Sequence, residues 1–504
     1  MGDQALARCS RMRVAVRRWL QPIRKERWKV KKKILVLGGG PCGLSAAWEL
    51  SRYGHDVTVI EKESKVGGLC ITNEYKGYRF DLGGHRFISK NKELVENVCN
   101  MMGNDLLTSH RKSVILLQGK TFEYPLSAKD IFLKMDLWTN LKAFTSYVIA
   151  AISRVIFRKK DISFEDWIVN RFGRTLYNLF FGPYTEKLWG ISPKLISSDW
   201  ASQRISLLNL KDVLFRLFKL KKGTPRTYAK AYFYPKKGIG QMFDIMSEEI
   251  SGMGGKIVLN ATVSGINVTN NTVESITYVQ HGLTKIIECD AVISTIPLPD
   301  LIKAFPIHLT KDVIGHTSTL KFRAVRFLNI LVDLPDISDN TWMYVSEGKY
   351  IMTRIQEPKR RSPFSAPEGK TSVMLEIPCN ENDEIWNCPR ESLLKRCLAD
   401  LKELGIDIQD RVIDYFTTSV IHGYPVYSLD YAMHRQKLFD FLDRYENLIT
   451  CGRQGTFRYI FMDTAMEMGI TAAQNLMLDN LCKKTDVQLM HSEKELIEVT
   501  SVTA

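Results

Sequence analysis

Gly38, Gly40 and Gly43 stand in a G-x-G-x-x-G spacing between an apolar run, residues 33–37, and a helix-like stretch, residues 44–52. Chemistry follows from that placement. The first glycine permits a tight turn, the second lets backbone approach a pyrophosphate, and the third lets helix and strand pack closely. The helix start then turns free N–H groups and a positive dipole end toward phosphate. Eighteen residues after Gly43, Glu61 closes a second apolar run, residues 56–61, where a carboxylate can accept from ribose hydroxyls. Together these residues predict dinucleotide binding. Two aromatic residues in the run Gly182-Pro-Tyr-Thr-Glu-Lys-Leu-Trp-Gly190 offer further contacts: Tyr184 to a phosphate, and Trp189 to a planar ring.

The elements that must position them read as follows. Residues 33–61 form a βαβ beginning, with the first run apolar throughout, as in a buried parallel strand. Helical patterns are expected near 127–135, 139–157, 163–180, 200–204 and 210–220. Strand texture returns over 255–297, with Asn270-Asn271 as a hairpin turn. Antiparallel strands are expected over 320–378, an amphipathic helix over 391–404, a last strand at 448–451, and a closing helix from Asp463 to 482.

The chain has 504 residues, 45% of them hydrophobic and 25% charged, which is room for about three domains. Aromatics at 10% exclude a disordered chain. None of the ten cysteines forms C-x-x-C and none of the nine histidines forms H-x-x-x-H, so no metal site is expected and the thiols read as reduced. Residues 1–33 hold twelve Lys/Arg and two acids, so +10 of the net +15 sits in this arm. Residues 207–222 form a second basic, amphipathic stretch. Each reads first as a solvated basic segment, the second packing on a domain. The alternatives are peripheral contact with an anionic membrane surface and, for the arm, an organelle transit segment, with nucleic acid the least expected partner. No apolar run is long enough to span a bilayer and no signal peptide is evident, so a cytoplasmic location, at most at the membrane surface, is expected. Nothing in the sequence sets an oligomeric state.

Beyond the first glycines, Gly67-Gly68, Asp81-Leu-Gly83-Gly84-His85-Arg86 and the late Gly452-Arg453…Asp463 extend the pattern. The whole resembles the FAD-binding fold shared by amine oxidases, protoporphyrinogen oxidases, phytoene desaturases and UDP-galactopyranose mutases, and the run 182–190 resembles the mutases most. There Pro183 replaces a glycine in what reads as a turn. Tyr350-Ile-Met-Thr-Arg354 and Tyr424-Pro-Val-Tyr427 resemble further mutase runs, although Gly423 stands where the mutases carry a tyrosine.

The resemblance implies an α/β fold: a Rossmann-like, glutathione-reductase-like FAD-binding domain with an inserted helical domain and an antiparallel-sheet substrate domain. The expected division is an arm (1–33), FAD domain (34–126, 226–305 and 426–482), helical insertion (127–225), substrate sheet (306–425) and polar tail (483–504). It implies FAD held by Gly38, Gly40, Gly43, Glu61, Gly68, Gly83, Val263, Gly452, Arg453 and Asp463. His85 would lie by the isoalloxazine, and Arg354 with Arg204 would hold a leaving diphosphate. Tyr184, Trp189, Tyr424 and Tyr427 would line the substrate site. The implied substrate is a small-molecule or lipid-linked glycosyl compound, rearranged by reduced flavin without a metal. The other activity the resemblance implies is that of a FAD-dependent oxidoreductase removing hydride from its substrate.

Overall fold

The computed structural model describes residues 31–477, apart from 125, 127, 158, 205–230 and 306–308, together with 487 and 488. Most of the basic arm, the amphipathic stretch 207–222 and nearly all of the polar tail thus lie outside the described residues. A five-stranded parallel sheet runs in the order Leu448–Thr450, Ala291–Ser294, Lys33–Leu37, Asp56–Ile60, Lys256–Val258. Its centre is the first strand, with Val36 beside Val59 on one side and Ile293 on the other. Residues 34–37 are buried, which is why the run carries no polar alternation. Helix Pro41–Arg52 follows at once. Pro41 suits its first turn, where no backbone N–H is needed. The helix packs against Met462–Met477 and Gly240–Gly252, so the two ends of the sequence meet. The approach is close: a Cβ on Gly469 would stand 2.0 Å from the Cys42 carbonyl oxygen. A three-stranded antiparallel ribbon, Ala261–Thr269, Thr272–Gln280 and Leu283–Glu288, adjoins this layer. Asn270 and Asn271 make its first turn at φ 48° and 63°, as a tight hairpin requires.

The second sheet has seven strands, in the order Val412–Pro425, Phe322–Val332, Thr371–Cys379, Arg354–Gln356, Trp342–Val345, Ser113–Leu117, Lys120–Glu123. Its pairs are antiparallel except that between Trp342–Val345 and Ser113–Leu117. The last two strands come from a segment that the sequence alone assigned to the nucleotide domain. They join the seven-stranded sheet because Val114 and Ile115 register against Met343 and Tyr344.

The helical insertion begins with Ala128–Lys134 and Leu137–Phe157. The expected helix over 163–180 is interrupted. Phe164–Leu176 kinks at Gly173, φ +82°, where a Cβ would meet the Ser146 backbone at 2.6 Å. A π-helical turn, Tyr177–Phe181, leads straight into helix Gly182–Trp189. Pro183 therefore sits in the first turn of a helix and not in a loop.

Candidate functional site

A cavity of about 2290 Å³ runs between the parallel sheet, the seven-stranded sheet and the insertion. At one end lies the glycine cradle. Gly38 has φ +99°, and a Cβ on Gly43 would fall 1.9 Å from the Gly38 carbonyl oxygen. Gly40 is different: its nearest neighbour for an added Cβ is the Gly68 Cα, 3.9 Å away, so its bareness serves the cavity and not the packing. The Glu61 carboxylate accepts from Gly39 N–H (2.6 Å) and Glu63 N–H (2.9 Å), which holds it at the cradle's edge. Burial raises its pKa. Val263 lines the same cavity from the ribbon. So do Gly68, Gly83, Gly452, Arg453 and Asp463, the last three brought from the chain's far end. Gly452 needs its φ of +78°, and a Cβ there would meet Cys42 at 2.8 Å. Cys42 and Cys451 place their Sγ atoms 3.4 Å apart across this junction.

The other end is polar and buried. Arg354 pairs with Glu376, and its Nη2 donates to the Tyr424 hydroxyl at 2.8 Å. Gln356 donates to Glu376 and accepts from Arg361. Glu376, Gln356 and Arg361 are buried, while Arg354 and Glu376 border the cavity. Loop 83–85 lies on it: a Cβ on Gly84 would stand 3.3 Å from Gln356 Oε1. Arg453 covers the Tyr459 ring at 4.0 Å and donates to the Gly423 carbonyl at 2.6 Å. Gly423 departs from the mutase pattern for a steric reason, since a Cβ there would meet Val325 at 2.8 Å. Tyr184 lines the cavity opposite. Burial pushes the Tyr184 and Tyr424 phenols well up, so both stay protonated.

His85 stands among these groups, and its Nδ1 has no hydrogen-bond partner among the described residues. Burial, opposed by Asp81 and reinforced by Arg361, Arg453 and Arg354, lowers its pKa from 6.5 to about 4. The unfolded chain therefore binds the extra proton first. This group's contribution to stability is intact above pH 6.5 and falls as pH drops toward about 4, by up to about 1.4 kcal/mol per pH unit. Denaturant titrations at about pH 7 and pH 5 should show that slope in the native protein and a flatter one in His85→Asn.

Two expected site residues are placed differently, and the side chain of a third is not among those described. Trp189 is buried, edge-on to Trp200 (4.7 Å) and Tyr424 (5.9 Å), so it backs the cavity wall and does not face a ligand. Tyr427 is buried against Tyr431 at 4.2 Å, and its hydroxyl accepts from Tyr459 N–H. Both are large aromatic rings whose burial outweighs their polar tips. Arg204 closes helix Ser198–Arg204, and its side chain lies outside what is described.

Sequence reasoning missed Glu376, Gln356 and Arg361, which are single polar residues in apolar or loop contexts with no local signal. It also passed over Lys187 in the 182–190 run. The Lys187 Nζ donates to the carbonyls of Val345 (2.7 Å), Glu347 (2.8 Å) and Met352 (2.9 Å). It thus ties the insertion to the loop that carries Arg354. Burial lowers its pKa to about 7, opposed by the Glu347 and Asp400 carboxylates. Lys187→Met should leave these carbonyls unsatisfied, cost about 1–3 kcal/mol and lower the thermal midpoint. Calorimetry of the two proteins, with flavin content matched, would measure it.

Among the described residues, no cluster of His, Cys, Asp and Glu could hold a metal ion, and no helix is long and apolar enough to cross a membrane. A family profile described as flavin containing amine oxidoreductase matches residues 41–477. The Mycobacterium tuberculosis protein described as putative flavin-containing monoamine oxidase AofH is 26% identical over 256 residues, 47% of this chain and 53% of its own. The chain thus spans about half the length of that curated relative. Among solved structures, a reduced UDP-galactopyranose mutase aligns with TM-score 0.79 at 19% identity, covering 93% of this chain and 100% of that one. A putative protoporphyrinogen oxidase from Exiguobacterium sp. 255-15 aligns with TM-score 0.69 at 16% identity, covering 90% and 100%.

Proposed function

This chain is an FAD-dependent member of the flavin-containing amine oxidoreductase family, and from that premise we propose that it acts through reduced flavin on a nucleotide- or lipid-linked sugar. The cradle fits the cofactor: Gly40 is open to the cavity, Gly38 and Gly43 form the turn, and Glu61 stands at its edge. These residues, with Gly68, Val263, Gly452, Arg453 and Asp463, would hold FAD. Bound FAD supplies a reactive isoalloxazine nitrogen that can act as nucleophile or hydride acceptor.

The observation that carries the proposal is charge. Around His85, the guanidinium groups of Arg354, Arg361 and Arg453 face the carboxylates of Glu376 and Asp81, three positive charges to two negative. Over the whole cavity, the cofactor's end included, eight Lys/Arg stand against five Asp/Glu. A protonated amine would meet repulsion there, whereas a phosphate-bearing substrate is attracted. Arg354 is the group to receive a diphosphate. Its Nε has no hydrogen-bond partner among the described residues, and Glu376 and Tyr424 fix its plane. Tyr184 and Tyr424, held protonated, can donate to the same oxygens. Neutral His85 can orient a sugar hydroxyl without adding charge.

A second reading, net oxidation of an apolar substrate, is favoured by the cavity's long apolar wall and by the oxidoreductase names of the relatives. Product mass separates the two. Dithionite-reduced holoprotein given UDP-sugars and prenyl-phosphate sugars should yield an isomer of unchanged mass. Oxidised holoprotein in air, without dithionite, giving a product lighter by two hydrogens with oxygen consumed would overturn the sugar reading.

A further inference from the structure

The volume of about 2290 Å³ exceeds the roughly 300–1000 Å³ of a usual small-molecule pocket by a factor of two or more. FAD would take the cradle end of it, and the remainder extends along the insertion. There the wall is built mainly from Ile131, Phe132, Leu141, Phe144, Phe172 and Phe180, with Lys129, Asn140 and Tyr147 among them. Phe132 and Phe144 line the cavity and are nevertheless 66% and 63% exposed, and Leu137 is 79% exposed. Residues that face both the cavity and the solvent mark its mouth, and this mouth is greasy.

Helix Leu137–Phe157 carries the rim onward. Positions 137, 140, 141, 144 and 147 face the cavity, while Ala143 and Ala150 are buried and Gly173 of the neighbouring helix closes on Ser146. That leaves Trp138, Ile149, Ile152 and Ile156 as an exposed apolar stripe at helical spacing. The helix contains no acidic residue. Its charges are Lys142 and Arg154, and the exposed Lys159 and Lys160 follow it. Exposed Lys142 and Thr145 lie within the stripe and Asp136 precedes it, so cations outnumber acids along it, which complements an anionic lipid surface, and it is too short of apolar length to cross one. An exposed tryptophan at its start matches the preference of that ring for the headgroup level.

We infer that helix Leu137–Phe157 lies on an anionic lipid leaflet and forms the portal through which the hydrocarbon chain of an amphiphilic substrate enters the cavity. The chain would rest on the phenylalanine wall while the phosphate-bearing head reaches Arg354. This inference rests on the lipid-linked form of the sugar reading and narrows it.

The test uses the full chain with FAD bound. It should sediment with vesicles containing phosphatidylglycerol and remain free of vesicles of phosphatidylcholine alone. Ile149→Glu/Ile152→Glu, both already exposed, should keep its flavin absorbance and lose at least tenfold in vesicle affinity. Phe144→Glu, at the mouth, should weaken binding of a fluorescent prenyl phosphate measured by anisotropy. Absence of wild-type binding to anionic vesicles would overturn the inference. Equal vesicle binding by the double variant, or unchanged probe affinity in Phe144→Glu, would overturn it as well. None of these readouts depends on turnover, so their failure leaves the product-mass experiment standing, and the reverse also holds.

Discussion

Gly43→Ala is expected to yield a colourless protein. Its Cβ would lie 1.9 Å from the Gly38 carbonyl oxygen, far inside contact distance, with backbone as the obstacle. Helix Pro41–Arg52 cannot retreat, because Met462–Met477 already presses on it from behind through Gly469. The turn that presents N–H groups to the pyrophosphate must therefore deform. Overpacking of about 1–3 kcal/mol, concentrated on the ligand loop, corresponds to roughly a 10- to 100-fold loss of FAD affinity. Gly40→Ala supplies the contrast. Nothing in the protein lies closer than 3.9 Å to its added Cβ, so the fold should persist with an unchanged circular dichroism spectrum. Flavin loss in that variant would report the approach of the cofactor itself. Visible absorbance and fluorescence titration with FAD would measure both. A yellow Gly43→Ala protein with native affinity would contradict the account of the cradle.

Arg354→Ala should damage both stability and turnover. Glu376 is 2% exposed, and its charge is balanced by Arg354. Removing one partner of a buried pair costs about 3–5 kcal/mol, because the other charge is left in a medium of low polarity. Loss of an electrostatic stabiliser aimed at a phosphate should lower turnover by about 10²- to 10³-fold. The two effects can be separated. Arg354→Met/Glu376→Leu removes both charges and should recover most of the thermal midpoint, since apolar replacements of a buried pair are often neutral. It should not recover activity. Recovery of turnover in the double variant would show that Arg354 acts on the fold alone.

The legibility of the site follows its distance along the chain. The glycine cradle and Glu61 could be read directly because backbone turns, a helix start and a strand end are determined by residues a few positions apart. The same holds for the Asn270-Asn271 hairpin, whose positive φ angles need those side chains. The polar network could not be read this way. Arg354, Glu376 and Tyr424 come from three strands, and only the register Arg354↔Glu376 brings the first two together. The helix at Gly182–Trp189 was hidden because Gly-Pro reads as a turn, although proline is equally at home in a first helical turn.

The sequence by itself determined that a dinucleotide is cradled at the start of this chain, because steric limits on a glycine turn act locally and admit few other residues. Only the tertiary structure decided which aromatic rings face the cavity. Tyr184 and Tyr424 line it, while Trp189 and Tyr427 are sealed behind it. A ring with one polar tip is stable either in a core or at a ligand, so composition is silent between the two. The choice is made by neighbours such as Trp200, Tyr431 and Tyr459, brought to those rings by packing rather than by sequence.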